Sequence, residues 1–378
     1  MPGVGNGAVP DASTPVDGRS APLRCALAGY GYWGVNLARN LAQSPATELA
    51  VVAEPDPASA ARSRSDHPSV PVVDYLDHVL PDVTIEAVVV ATPASMHEDH
   101  ALAVIAAGKH VLVEKPLALD VAGAERVRAA ADRAGVCVLV GHTFLYSPPI
   151  ERLAALVRAG ELGRVLYLSS QRLSLGRVRT DCDVLWSLAP HDVAIVLHLL
   201  GDIPVEVSAR GAGVLARGLD DVAFLTLAFP DGAVAGIHVS WLDPVKVRRL
   251  TVVGDRRTVV FDDVAPDRKL TIVDTGVSRL PEFGRYDTMG EFQSTTSAGE
   301  ISVPELPSTE PLRTEVEAFA TAIRTGIAPL TDLAHGLEVV RVLAAAEASM
   351  RRGGTPVEVA GGDVAAPAVG DTFAALPD

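Results

Sequence analysis

Through the first third of the chain, short uninterrupted apolar runs alternate with stretches in which apolar residues recur at helical spacing. The runs are Cys25–Ala28, Leu49–Ala53, Ala87–Ala91, His110–Val113 and Val136–Val140. Runs this short, without polar alternation, suit strands covered on both faces. Strand alternating with helix predicts repeated βαβ units around a parallel sheet. Between the third and fourth runs, Ser95 and Glu98 have the spacing of a capping box, and Gly108 stands where a helix would end with positive φ. Asp120 and Gly135 bracket the next helix in the same way.

After Pro148 the texture changes. A helix to Ala159 is followed by a strand over Val165–Arg172 and a helix expected from Pro190 to Leu200, closed by Gly201. Val222–Phe229 and Ala233–Leu242 flank Pro230-Asp231-Gly232, and Arg249–Val253 with Thr258–Asp262 flank Gly254-Asp255. These hairpin signals predict an antiparallel sheet. Pro311–Thr325 and Asp332–Arg351 carry apolar residues at helical spacing, whereas residues 275–300 are polar and Gly/Ser/Thr-rich with no period. The expected architecture is α/β: a Rossmann doubly wound parallel sheet over residues 21–142, then an α+β domain over 143–360 with a large open, mainly antiparallel sheet. Residues 1–20 and 361–378 lack periodicity and read as tails.

A length of 378 residues agrees with two domains, and 48% hydrophobic with 21% charged residues is the composition of a globular protein. The net charge of −15 opposes binding to nucleic acid or to anionic membranes, which leaves small molecules as the expected partners. Cys25, Cys137 and Cys182 are too few and too scattered for a disulfide framework or a CxxC metal site. No apolar run approaches the ~18 residues of a bilayer span, and no signal-peptide pattern opens the chain, so a cytoplasmic location is expected.

Gly29-Tyr30-Gly31-Tyr32-Trp33-Gly34 satisfies GxGxxG between a strand and a helix, the context that gives this string meaning. Gly29 serves a tight turn, Gly31 admits a pyrophosphate close to the backbone, and Gly34 allows helix and strand to pack closely. Glu54 ends the second strand, where a carboxylate accepts from both ribose hydroxyls and repels a 2′-phosphate, so NAD is the expected cofactor. Arg62 and Arg64 keep NADP open as the alternative, unless they are surface charges.

Lys115, in Glu114-Lys115-Pro116, sits at a strand's carboxyl end, where it can hold a hydroxyl near a nicotinamide or simply extend into solvent. His191 follows Pro190 at the expected helix opening, where an imidazole could move the proton released as hydride departs, or cap a surface turn. His191, His198 and Asp192 match no zinc spacing, so no metal is expected. Arg164, Arg172, Arg177 and Arg179 form a basic island suited to a phosphate or carboxylate, or to guarding a strand edge. Lys246, Arg248 and Arg249 beside Trp241 admit the same two readings.

Together, GYGYWG at 29–34, ATPASMH at 91–97, EKP at 114–116 and APHD at 189–192 resemble the Gfo/Idh/MocA oxidoreductase family from about Arg24 to Val359. GHTFLYSPP at 141–149, SQRLSLGR at 170–177 and the stretch 238–254 resemble the branch that oxidises C3 of nucleotide-linked amino sugars or their uronic acids. The resemblance implies a catalytic pair, Lys115 orienting the hydroxyl and His191 shuttling its proton. It also places Tyr32, Trp33, Thr92, Pro93, His97, Glu114 and His142 around the cofactor, Tyr146 and Arg172 near an anionic or nucleotide-linked sugar, and implies a homodimer or homotetramer formed through the open sheet. In one respect the sequence departs: Ser187 stands where relatives carry Asp, four residues before the histidine. Serine supplies no anion to stabilise an imidazolium, so His191 is expected to be a weaker base unless Asp181, Asp183 or Asp192 compensates. A keto-sugar or cyclitol reductase, and a dinucleotide-binding protein impaired in catalysis, are the competing readings.

Overall fold

A computed structural model describes residues 21–176, 182–215, 218–274 and 299–359. The expected tails, most of the 275–300 stretch, and Arg177, Arg179 and Asp181 lie outside the described residues.

The first sheet contains β1 (Leu23–Ala28), β2 (Thr47–Ala53), β3 (Val72–Val73), β4 (Ala87–Val90), β5 (His110–Glu114) and β6 (Val138–Gly141). All are parallel, in the order β3-β2-β1-β4-β5-β6. The chain crosses over between β1 and β4, which opens a crevice at their carboxyl ends. Ala87, Val88, Val89 and Val90 are all buried because helices cover both faces. Cys25 and Leu27 point into a core shared with α1 (Gly34–Gln43); Ala26 and Ala28 point into one shared with α3 (His97–Ala106) and α4 (Val121–Ala134). The helix α2 (Pro57–Asp66) is capped by Asp56 and follows β2.

The second sheet runs β14-β13-β12-β11-β7-β10-β9-β8-β15 among the described residues. Its strands are β7 (Val165–Leu175), β8 (Glu206–Ala212), β9 (Val222–Ala228), β10 (Val234–Ser240), β11 (Leu242–Gly254), β12 (Thr258–Asp262), β13 (Leu270–Val273), β14 (Ile301–Ser302) and β15 (Val357–Glu358). Among the described residues only β7 and β10 pair in parallel. The β9–β10 hairpin turns at Gly232, whose φ of 88° suits glycine. One face packs on α5 (Pro148–Arg158), α6 (Val184–Leu200) and α8 (Leu333–Arg351). On the other face Tyr167, Phe224 and Val234 are exposed, and His238 stacks on Phe224 at 4.1 Å.

Three local expectations change. The helix expected from Pro190 begins at Val184: Asp183 caps it by accepting from Trp186 N at 3.0 Å, and Pro190 lies inside. Proline at that position lacks only the bond to Trp186, so the helix continues past it with a weakened turn. No capping box forms at Ser95, because Met96 is the N-cap without a side-chain bond and Glu98 pairs instead with Arg126. The strand expected to stop at Arg172 runs on to Leu175.

The helix α7 (Pro311–Thr325), although late in sequence, returns to the first sheet. Leu312, Val316, Phe319 and Ala320 fill the core beside Leu37 and Leu41. Arg39 with Glu310, and Arg324 with Glu86, fasten it there. On the opposite side Gly336 of α8 lies so close to Val140 that an added Cβ would fall 2.6 Å from its methyl carbon.

Candidate active site

The glycine turn is built as the fingerprint requires. Gly29 has φ of 96°, and a Cβ there would sit 2.7 Å from Ala91 O; at Gly34 it would overlap the Gly29 carbonyl. At Gly31, by contrast, a Cβ would meet nothing within 4 Å among the described residues, so the turn is open where a pyrophosphate must approach. No side chain caps α1 and no acidic residue stands in its first turn, which keeps its positive end available to an anion. This turn fits a dinucleotide.

Glu54 is 7% exposed and braces the turn, accepting from Tyr30 N at 2.5 Å with one oxygen and from Asp56 N at 2.8 Å with the other. Each oxygen keeps a lone pair for a ribose hydroxyl. Arg62 is exposed, yet it is no loose surface charge: it donates to Tyr30 O at 2.7 Å and its guanidinium lies over the Tyr30 ring. Tyr30 is buried and donates its hydroxyl to Asp66. Arg64 is exposed.

From this turn Trp33 reaches toward the crevice and donates its indole N–H to Glu114 at 2.5 Å. Tyr32 is exposed beside it. His97 is buried, with Nδ1 2.7 Å from Pro116 O and Nε2 2.9 Å from Thr92 O, so it clips the loop after β4 to the loop after β5. Thr92 also meets His100, and Pro93 is exposed. The Lys115–Pro116 bond is cis.

Lys115 donates from Nζ to Ser187 O at 2.8 Å. Ser187 and His191 are one turn apart on α6, so the lysine and the imidazole meet at the turn that Pro190 weakens. Phe144 stands edge-on to His191, with ring centres 5.1 Å apart. Arg172 lies over the same phenyl ring at 4.4 Å and Arg248 at 5.8 Å. Burial, then the positive charges of Lys115 and Arg172, with His142 and Arg248 adding, push His191 well below the usual imidazole range. It is therefore neutral at pH 7, the form that accepts a proton.

Arg172 and Asp192 form a buried pair, 2.7 Å from Nε and 3.2 Å from Nη2, with Ser170 donating to the same carboxylate at 2.8 Å. Asp192 is thereby spoken for, and Asp183 caps the helix, so neither takes the place of an acid at position 187. Arg248 pairs with Asp263. Tyr146 lies in the core below, its hydroxyl 3.0 Å from Thr331 Oγ1.

Two further acids and a histidine pair complete the region. Burial pushes Glu114 up to about 7, with Lys115 and the Trp33 bond pulling the other way. Glu315 of α7 is fully buried and raised well above its usual range, by burial and then by Glu114; one of its oxygens accepts from Thr143 and the other has no partner among the described residues. His142 is buried and stands edge-on to His335 at 5.3 Å. Sequence reasoning missed Phe144, Glu315 and His335. A carboxylate within the apolar stripe Leu312, Val316, Phe319 was the one signal for Glu315; Phe144 lay inside the 141–149 stretch without standing out, and nothing in the pattern marked His335.

Residues 23–142 match the oxidoreductase family with an NAD-binding Rossmann fold, and residues 150–260 match the GFO/IDH/MocA C-terminal domain. A solved structure from Magnetospirillum magnetotacticum MS-1, classed with the oxidoreductases, is 36% identical and covers 86% of this chain and 99% of its own, with a TM-score of 0.71. GenD2 from gentamicin A biosynthesis, solved with NAD, is 26% identical over 93% of this chain and 99% of its own, with a TM-score of 0.75. UDP-N-acetylglucosamine 3-dehydrogenase GnnA from Acidithiobacillus ferrooxidans is 26% identical over 87% of this chain and 99% of its own, with a TM-score of 0.73. The matched stretch spans only 58–60% of the length of three curated bacterial enzymes at 26–28% identity. Among the described residues no helix is long and apolar enough to cross a membrane, and no group of three or more His, Cys, Asp or Glu is arranged to hold a metal ion.

Proposed function

The chain belongs to the Gfo/Idh/MocA oxidoreductase family, and from that premise we propose that it transfers hydride between NAD and a secondary alcohol or ketone of a sugar, at C3 of a nucleotide-linked sugar. The observation that carries this reading is the meeting of Lys115 and His191 at one turn of α6, beside the crevice that the glycine turn opens. Bound NAD supplies the hydride acceptor.

Lys115 turns from the Ser187 carbonyl to the carbinol oxygen, orienting it and stabilising negative charge as it develops. His191, held neutral, takes the hydroxyl proton at a ring nitrogen. Glu114 fixes Trp33 of the turn and adjoins Lys115 in sequence, so cofactor loop and catalytic lysine share one support. The guanidinium groups of Arg172 and Arg248 lie against Phe144 on this wall, where Asp192 and Asp263 offset part of their charge; what remains favours an anionic substrate. Arg172 acts there through its field, since Asp192 takes its hydrogen bonds. The exposed aromatic side chains of the second sheet suit pairing with another copy of the chain as a dimer or tetramer.

Likeness to GnnA supports the nucleotide sugar and the C3 position. The test is a panel of UDP-sugars, their uronates, free sugars and cyclitols, with NAD and NADP, followed at 340 nm in both directions. Turnover of a nucleotide-linked sugar with NAD is expected; turnover of free cyclitols alone would overturn the substrate assignment. NAD binding with no turnover anywhere in the panel would favour a protein that binds dinucleotide without catalysis.

A further inference from the structure

The region around His191 contains an unusual number of buried imidazole nitrogens without protein partners. Among the described residues these are Nδ1 of His191, both ring nitrogens of His142 and Nδ1 of His335. A buried polar atom left unpaired is costly, because it has given up its bonds to water without replacement. Four in one neighbourhood form a feature that packing alone does not explain.

They lie in a row. His191 feels the charge of His142, and both feel Lys115. His142 stands edge-on to His335 at 5.3 Å. His335 Nε2 rests 3.4 Å from Ala194 O of α6, and Ala194 falls between His191 and His198, one turn from each. His335 and His198 in turn line a cavity of about 380 Å³ together with Asp202 and Glu338, where α6 ends at Gly201. His198, pushed down to about 4 by burial first and then by Arg158 and His335, is a ring that gives up protons readily.

An outlet is needed. Lys115, Arg172 and Arg248 surround His191 with positive charge and no carboxylate partners its Nδ1 among the described residues, so a proton left on this ring is poorly held. We propose that His142, His335 and His198 form a relay that carries the carbinol proton from His191 to the cavity at the end of α6. The relay rests on the proposed hydride transfer for the origin of that proton. At each step an imidazole accepts a proton on one nitrogen and releases another from the opposite nitrogen, directly or through one water. One proton leaves the carbinol, one enters solvent beside Glu338 and Asp202, and each ring stays neutral with its tautomer exchanged, resetting when it exchanges back. In this scheme His335 and His198 touch neither hydride donor nor acceptor; they move the proton onward.

The test uses the full chain with ¹⁵N-labelled histidine, saturated with NAD, and reads exchange of imidazole N–H protons with water by NMR. His142 is 1% exposed, yet its N–H is expected to exchange rapidly. In His335→Phe that exchange should slow by about tenfold or more, and in His198→Gln by a smaller factor. Equal exchange in wild type and His335→Phe would overturn the relay. Should His335→Phe fail to bind NAD, His335→Gln gives the same reading, since an amide occupies the position but cannot pass a proton on. No sugar enters this measurement, so its failure leaves the hydride transfer standing, and a sugar panel without turnover leaves its result intact.

Discussion

The two ends of the crevice are built on opposite principles. At the glycine turn the loop is braced by its own bonds, with the N-terminus of α1 left open: Glu54 accepts from two backbone N–H groups, Arg62 donates to the Tyr30 carbonyl and Tyr30 donates to Asp66. Around His191 the arrangement differs, with buried ring nitrogens lacking partners among the described residues and three cations close to a neutral imidazole. A binding surface gains from a frame held rigid in advance around one open place, whereas the proton transfer proposed at His191 needs groups whose demands the reaction meets.

Exchanging the properties of the two ends is the way to test that contrast. The largest effect is expected from Lys115→Met, which should lower turnover about a hundredfold or more while leaving NAD affinity nearly unchanged. Titration of NAD binding alongside steady-state rates separates the two, and a loss of affinity with turnover intact would reverse the roles of the two ends. Gly29→Ala should do the opposite. Its φ of 96° and the approach of Ala91 O make any Cβ strained, so stability should fall by about 2 kcal/mol in urea and NAD affinity by about tenfold, with turnover at saturating NAD largely kept. A variant with wild-type affinity would mean that the turn does not hold the cofactor.

Ser187→Asp asks whether the missing anion limits the base. A carboxylate one turn before His191 should raise the imidazole's proton affinity and increase oxidation at pH 7 by about threefold to tenfold. A fall would show that serine has its own part, and an unchanged rate that the base does not limit oxidation. The smallest effect concerns Glu315. Its carboxyl is raised in the folded protein, so the folded chain binds more protons than the unfolded one above the ordinary carboxyl range, and that contribution to stability is lost as pH rises. Glu315→Gln should therefore gain on wild type between pH 5 and pH 8, by roughly 1 kcal/mol or a few degrees in Tm. A difference independent of pH would remove Glu315 as a buried ionisable group.

Much of this frame was legible in the chain. Five apolar runs located strands of the doubly wound sheet, and Gly29, Gly31, Gly34 and Glu54 marked the turn proposed to hold the dinucleotide, because their constraints are local. Lys115 and His191 were visible as residues but not as neighbours, since only tertiary packing brings the end of β5 against α6. Pro190 hid the true start of that helix: proline usually stands near an N-terminus, and here Asp183 caps the helix two turns earlier. The return of α7 to the first sheet could not be read from periodicity, which reports that a face is buried and not against what. Arg172 looked like a ligand for an anion, but in the fold Asp192 takes its hydrogen bonds, and Phe144 lay within the 141–149 stretch without standing out as a site residue.

The central claim is that the glycine turn delivers a nicotinamide to the point where Lys115 and His191 meet. A crystal structure with NAD bound tests it most directly. The claim predicts the pyrophosphate against Gly31 and α1, and the nicotinamide ring facing Lys115 and His191 across a space that one carbinol fills. A dinucleotide bound elsewhere, or those two side chains turned away from the ring, would contradict it.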